Sequence, residues 1–135
     1  MSLVRFRTES QSYLTFSGHD QPQTVVVRDR DTWVRVWNQI YARITALPPP
    51  IVEVDFSKEM VVLAALGTQP SSGFDVLFTS ASEADGVVTV EVEARSPGPR
   101  CVTLTVITSP LDLARVPTRS GTVLFHTTPT VVTCP

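Results

Sequence analysis

The chain has 135 residues, of which 42% are hydrophobic and 18% charged, and its formal net charge is -2. That length suits a single domain over residues 1–135 with one core, and the composition is globular rather than disordered. The charge balance lacks the basic excess that a nucleic-acid backbone selects, so no nucleic-acid partner is expected, and no apolar run approaches the roughly 20 residues of a membrane-spanning helix.

The opening MSLVRFRTES has no apolar h-region of a signal peptide. A mature segment placed behind a short leader, Met1-Ser2-Leu3, would read the same way, so the opening does not fix a location. Short alternating or β-branched stretches over 3–10, 12–17 and 23–29 read as strands, with SGHDQP as a turn. The period then changes. Trp33, Val36, Trp37, Ile40, Tyr41 and Ile44 recur every three or four residues, with Arg35, Asn38, Gln39 and Arg43 mainly opposite. This predicts one amphipathic helix over roughly 30–45, capped by Asp29 or Asp31 and stopped by Pro48, Pro49 and Pro50. On such a stripe Trp33 and Trp37 read as packing residues rather than as an aromatic ligand site.

Asp55 and Glu59 stand four apart in DFSKEM, and their ordinary reading is hydrogen bonding to turn amides rather than paired catalytic carboxylates. MVVLAAL follows without polar alternation, which predicts a central strand covered on both faces, by the helix on one. GTQPSSGFDV continues from it as a proline-kinked, hydroxyl-rich loop. A hairpin turning at Asp85-Gly86 comes next, with Val88, Val90, Val92 and Ala94 inward and Thr89, Glu91, Glu93 and Arg95 outward. SPGPR breaks the chain. CVTLTVIT resumes alternation with Val102, Leu104 and Val106 predicted inward, and LDLARVP and GTVLFHTT supply two more strands. The expected fold is α+β: a mainly antiparallel sheet, as a sandwich or partly open barrel, with one amphipathic helix packed on it.

In that reading Cys101 shares a strand face with Thr103 and Thr105, away from the core. Cys134 is its one available partner, so a Cys101–Cys134 disulfide is expected, the alternative being two unpaired thiols in a reducing compartment. Two cysteines with His19 and His126 show no close ligand spacing, so no metal site is expected. No G-x-S-x-G elbow or H-E-x-x-H helix occurs, and the histidines read as surface or hydrogen-bonded residues. No catalytic residue and no cofactor is expected.

Taken together, DTWVRVW, PPPIVEVDFSKEMVVLAALGTQPSSGFDV and VEARSPGPRCVTLTVITSPLDLARVP resemble the C-terminal domain of the PrcB protease-complex proteins, from about Ser17 to Pro117. The resemblance implies a non-catalytic accessory domain; the named example is a lipoprotein subunit that stabilises an extracellular serine-protease complex. No lipobox cysteine stands at the start of this chain, so membrane anchoring is not carried over. An extracytoplasmic location, whether secreted, periplasmic or in the cell envelope, is the resulting expectation.

A shorter similarity links TQPSSGF to the N-P-T-T-G-[YF] loop of chagasin-like cysteine-protease inhibitors, with Gln69 in place of asparagine and Ser71-Ser72 in place of two threonines. The plain alternative is a hairpin connection. Three function classes follow: a partner-binding domain that accompanies a protease or envelope complex, a loop-mediated protease inhibitor, and a small-molecule-binding or enzymatic domain. For the first, the expected contact surface joins Gln69, Pro70, Ser71, Ser72 and Gly73 to Pro97, Gly98, Pro99 and Arg100, as exposed loops at one end of the sheet.

Overall fold

The computed structural model describes residues 1–6, 15–44 and 48–135. The strand expected over 12–17, and the second half of the one over 3–10, lie largely outside these residues. Within them β1 (Val4–Arg5) is short, and Phe16 makes an isolated bridge to Ser109.

Two sheets and a helix form three layers. β2 (Pro22–Val27) leads into α1 (Arg30–Tyr41), and β3 (Glu59–Leu66) follows the proline-rich segment. β4 (Asp75–Ala84) and β5 (Val87–Pro97) form the hairpin, β6 (Leu111–Pro117) returns to the first sheet, and β7 (Val123–Val132) joins the second. The four-stranded sheet has the order β1-β6-β3-β2 and is antiparallel throughout; the three-stranded sheet has the order β4-β5-β7. The α+β expectation holds, in its sandwich form. One pairing departs from the antiparallel rule: β7 runs parallel to β5, from Val88↔Val123 to Pro97↔Val132.

The polar-free run in β3 is explained by burial on both faces. Val61, Leu63 and Ala65 join Leu111 and Leu113 under the helix, whereas Met60, Val62 and Ala64 join Ala114 and Val116 against Val76, Phe78, Val88, Val90 and Val92 of the second sheet. Each such branched side chain contributes about 1.5–3 kcal/mol on burial. The helix stripe settles onto the sheet through Trp33, Trp37, Ile40 and Tyr41, and both indoles are pinned at their polar edge: Trp33 Nε1 donates to Val52 O at 2.8 Å and Trp37 Nε1 to Pro49 O at 3.0 Å. Asp29 is the cap, accepting from Thr32 N–H at 2.8 Å. The helix ends at Tyr41, short of the expected 45, and Ile44 is exposed beyond it.

The hairpin turns where expected. Asp85 and Gly86 both take positive φ, 53° and 77°, the pairing a tight two-residue turn between twisted strands demands. β4 carries a register shift between Phe78 and Ser80, which bends it over the first sheet.

Candidate functional site

Beyond β3 the chain enters 67–73, and the polar side chains of this loop are spent internally. Gln69 and Thr108 exchange backbone hydrogen bonds, 2.7 Å from Gln69 N–H to Thr108 O and 3.0 Å in return. Ser72 N–H donates to Leu104 O at 3.0 Å, Leu104 N–H donates to Ser72 Oγ at 2.8 Å, and Thr108 Oγ1 donates to Ser71 O at 3.0 Å. The loop therefore serves as a bed for residues 104–108. Gly73 has φ +96° and lies so close to the second expected loop that an added Cβ would stand 3.0 Å from Pro97 Cβ. The two loops do meet.

Their exposure differs from the expectation. Gly67 is buried, Gln69, Ser71, Ser72, Pro97 and Gly98 are half-buried, and only Pro70, Gly73, Pro99 and Arg100 among the nine named contact residues are exposed. Ser96 and Pro97 belong to β5 rather than to a loop.

The larger correction concerns 101–107, which forms no strand. Val102, Leu104 and Val106, predicted inward, are 99%, 70% and 37% exposed, and Ile107 beside them is 70% exposed. The physical reason lies in the topology. The edge of β5 that this segment would extend is taken by β7, and Pro97-Gly98-Pro99 has already turned the chain away. The outcome is an apolar outer surface on a segment held from beneath by the 69–72 loop.

Cys101 and Cys134 lie at disulfide distance, Cα to Cα 5.0 Å, as expected, although not for the strand-face reason, since no strand is there. They close the end of β7 onto the turn after β5, where Gly98 N–H donates to Val132 O at 3.0 Å. Beside them lies an open groove of about 260 Å³, walled by Gly98, Pro99 and Arg100 on one side and Val131, Val132, Thr133 and Cys134 on the other.

The remaining candidates fall into structural roles. Asp55 accepts from Ser57 N–H at 3.0 Å and Ser57 Oγ at 2.6 Å, bonds that hold its carboxyl below the usual range and fix entry into β3. His126 lies on the exposed face of β7 with Nδ1 2.6 Å from Glu91 Oε2. His19 departs from expectation: it is 2% exposed, and burial pushes its pKa below 6.5 against the opposing pull of Asp20. Among the described residues no three His, Cys, Asp or Glu side chains gather as a metal cluster would.

Sequence reasoning missed Asp112, which is fully buried between the sheets, accepting from Arg5 Nε at 2.8 Å and from Phe78 N–H at 2.9 Å. Its signal was an acidic residue on the strand face that also carries Ala114 and Val116, opposite Leu111 and Leu113. Its partners give it a clamping role, tying β6 to β1 and to the edge of β4.

The stretch from β3 through β6 thus carries the loop, the apolar segment and the clamp. Residues 60–117 match the PrcB C-terminal family model. The resemblance to that family is borne out over these residues, a narrower span than the one beginning near Ser17. The PrcB C-terminal match takes in the half-buried loop, Pro97 to Arg100, the exposed 101–107 segment and Asp112, and it stops at the last residue of β6. No curated protein and no solved structure matches the chain.

Proposed function

We propose that this is a non-catalytic protein-interaction domain that accompanies or stabilises a protease or envelope complex outside the cytoplasm. The PrcB C-terminal match suggests association with a protease complex. The observation that carries the reading is the exposure of Val102, Leu104 and Ile107 within six residues, on backbone anchored by hydrogen bonds to Gln69, Ser71 and Ser72. Scattered exposed apolar residues are ordinary, whereas three on one fixed segment form a patch suited to a partner. A pre-formed patch also loses little conformational entropy on binding.

In this reading Gln69 to Gly73 supports the contact surface from below, and Pro99 and Arg100 extend it. The Cys101–Cys134 pair and the family match together support an extracytoplasmic setting. An inhibitory loop of the chagasin-like kind would need Gln69 to Gly73 to project into a cleft, and their packing against 104–108 favours the accompanying role.

The test is to replace Leu104 and Ile107 with Asp in the full chain and to recover the protein from its native host with whatever remains bound. Loss of a stoichiometric companion at unchanged melting temperature supports the reading. Retention of that companion, or inhibition of a cysteine protease by the unaltered chain at equimolar ratio, overturns it.

A further inference from the structure

One sheet ends at β1 and β2 and the other at β4 and β7, and three of these edges resist a further strand. β1 is two residues long. β4 is bent at its bulge and gives its Phe78 N–H to Asp112 Oδ2. β7, whose even-numbered residues bond to β5, turns Pro129 outward without an N–H to offer. β2 lacks such protection beyond its first residue. Pro22–Val27 reads PQTVVV, with no charge and no break in its register against β3, and among the described residues no strand pairs with its outer edge.

The direction of the ladder fixes what β2 presents. Leu66 N–H donates to Pro110 O at 3.0 Å, so even-numbered β3 residues face β6 and odd-numbered ones face β2. In the register Gln23↔Ala65 and Val25↔Leu63 those two β2 residues bond inward, and Thr24 and Val26 turn both N–H and C=O to the free edge. Pro22 turns outward with a carbonyl alone. Thr24 is exposed, and Val25 and Val26 are half-buried, so the molecule itself covers their apolar surface only in part.

We infer that the outer edge of β2 pairs antiparallel with β2 of a second copy of this chain, about a two-fold axis at Val25, joining two four-stranded sheets into one. Thr24 then lies opposite Val26 of the copy, and each such pair exchanges both backbone hydrogen bonds. Val25 meets Val25, and the half-covered valines bury one another. The strand is its own complement in this register. Arg28 falls opposite Pro22 and Asp29 opposite Gln21, so no like charges confront each other. A shift that sets Thr24 opposite itself brings Val26 C=O against Pro22, which has no N–H to give it, and so the proline that starts the strand also selects the register. This edge is made of residues other than those of the 102–107 patch, and neither surface depends on the other.

Sedimentation velocity of the full chain from micromolar to millimolar concentration, with amide hydrogen exchange at both ends of that range, tests the pairing. A monomer–dimer equilibrium is expected, in which the Thr24 and Val26 amides are protected only at the high concentration while those of Gln23 and Val25 are protected throughout. Thr24→Pro removes an outward N–H without touching a bond to β3, and Thr24→Lys places a charge on the edge should proline disturb the strand. Whichever variant keeps the melting temperature should weaken association about tenfold or more, and Leu104→Asp should leave it unchanged. A monomer at every concentration, a dimer indifferent to both Thr24 variants, or one abolished by Leu104→Asp would overturn the assignment. Protection of Thr24 and Val26 only when the native companion is bound would overturn it too, since the edge would then belong to a strand of that companion.

Discussion

Replacing Asp112 with Ala removes an acidic side chain that ties both sheets and β1 together. The carboxylate is 0% exposed, and its Oδ2 takes both Arg5 Nε at 2.8 Å and Phe78 N–H at 2.9 Å. Alanine leaves Phe78 N–H, a buried donor at the bulge of β4, without its acceptor, a loss of roughly 1–3 kcal/mol. It also strands the Arg5 guanidinium, which is 29% exposed and can recover only part of its hydration, so breaking the pair brings the total to about 3–5 kcal/mol. Against the roughly 7–20 kcal/mol expected of a domain of this size, that is a large share of its stability. Urea unfolding followed by far-UV circular dichroism, with the cysteine pair intact, measures it directly, and the midpoint should fall with little change in slope. Asp112→Asn retains an acceptor for Phe78 and should lose clearly less. A loss under about 1 kcal/mol in Asp112→Ala would mean that Asp112 does not clamp the sheets.

Three further outcomes follow from the same geometry. Cys101→Ser with Cys134→Ser opens a link across a sequence separation of 33 and should cost roughly 3–4 kcal/mol, seen as a melting temperature lower by about 10–15 °C; an unchanged value would mean the ends are held by Gly98 and Val132 alone. Because burial lowers the pKa of His19 below 6.5, the unfolded chain takes up its proton first, so stability is full above about pH 6.5 and declines as pH falls through the lower folded value. His19→Gln should flatten that decline in the urea midpoint and keep the loss at lower pH from Asp29, Asp55 and Glu93, whose depressed pKa values place their contribution above the ordinary carboxylate range. Gly73→Val should destabilise by forcing a β-branched residue into φ +96° against Pro97, and a neutral result would show that this loop is not fixed.

Much of the fold is legible because local pattern and tertiary burial agree. The Trp33–Tyr41 stripe, the Asp29 cap, the two-faced run of β3 and the Asp85-Gly86 turn each follow from side-chain periodicity or backbone chemistry within a few residues. What stayed hidden depends on distant chain. Val102, Leu104 and Val106 alternate as a buried strand would, but β7 occupies the edge of β5, and a parallel pairing closed through the other sheet leaves no mark on 101–107 itself. The same misreading concealed the apolar patch and made the 67–73 loop look freer than it is. Its serines read as solvent-facing until their partners at Leu104 and Thr108 are known. Asp112 was overlooked because strand patterning treats an acidic residue as outward, and only Arg5 and the Phe78 amide give it a reason to face in.

Photo-crosslinking in the native host asks whether the anchored apolar segment is where a protein partner sits. A benzophenone side chain is placed at Leu104 in one version of the full chain and at Arg35, on the solvent side of α1, in another. One discrete crosslinked protein is expected from position 104, competed by excess unlabelled chain, and none from position 35. Equal crosslinking at both positions, or none at 104 while the companion still co-purifies, would contradict it.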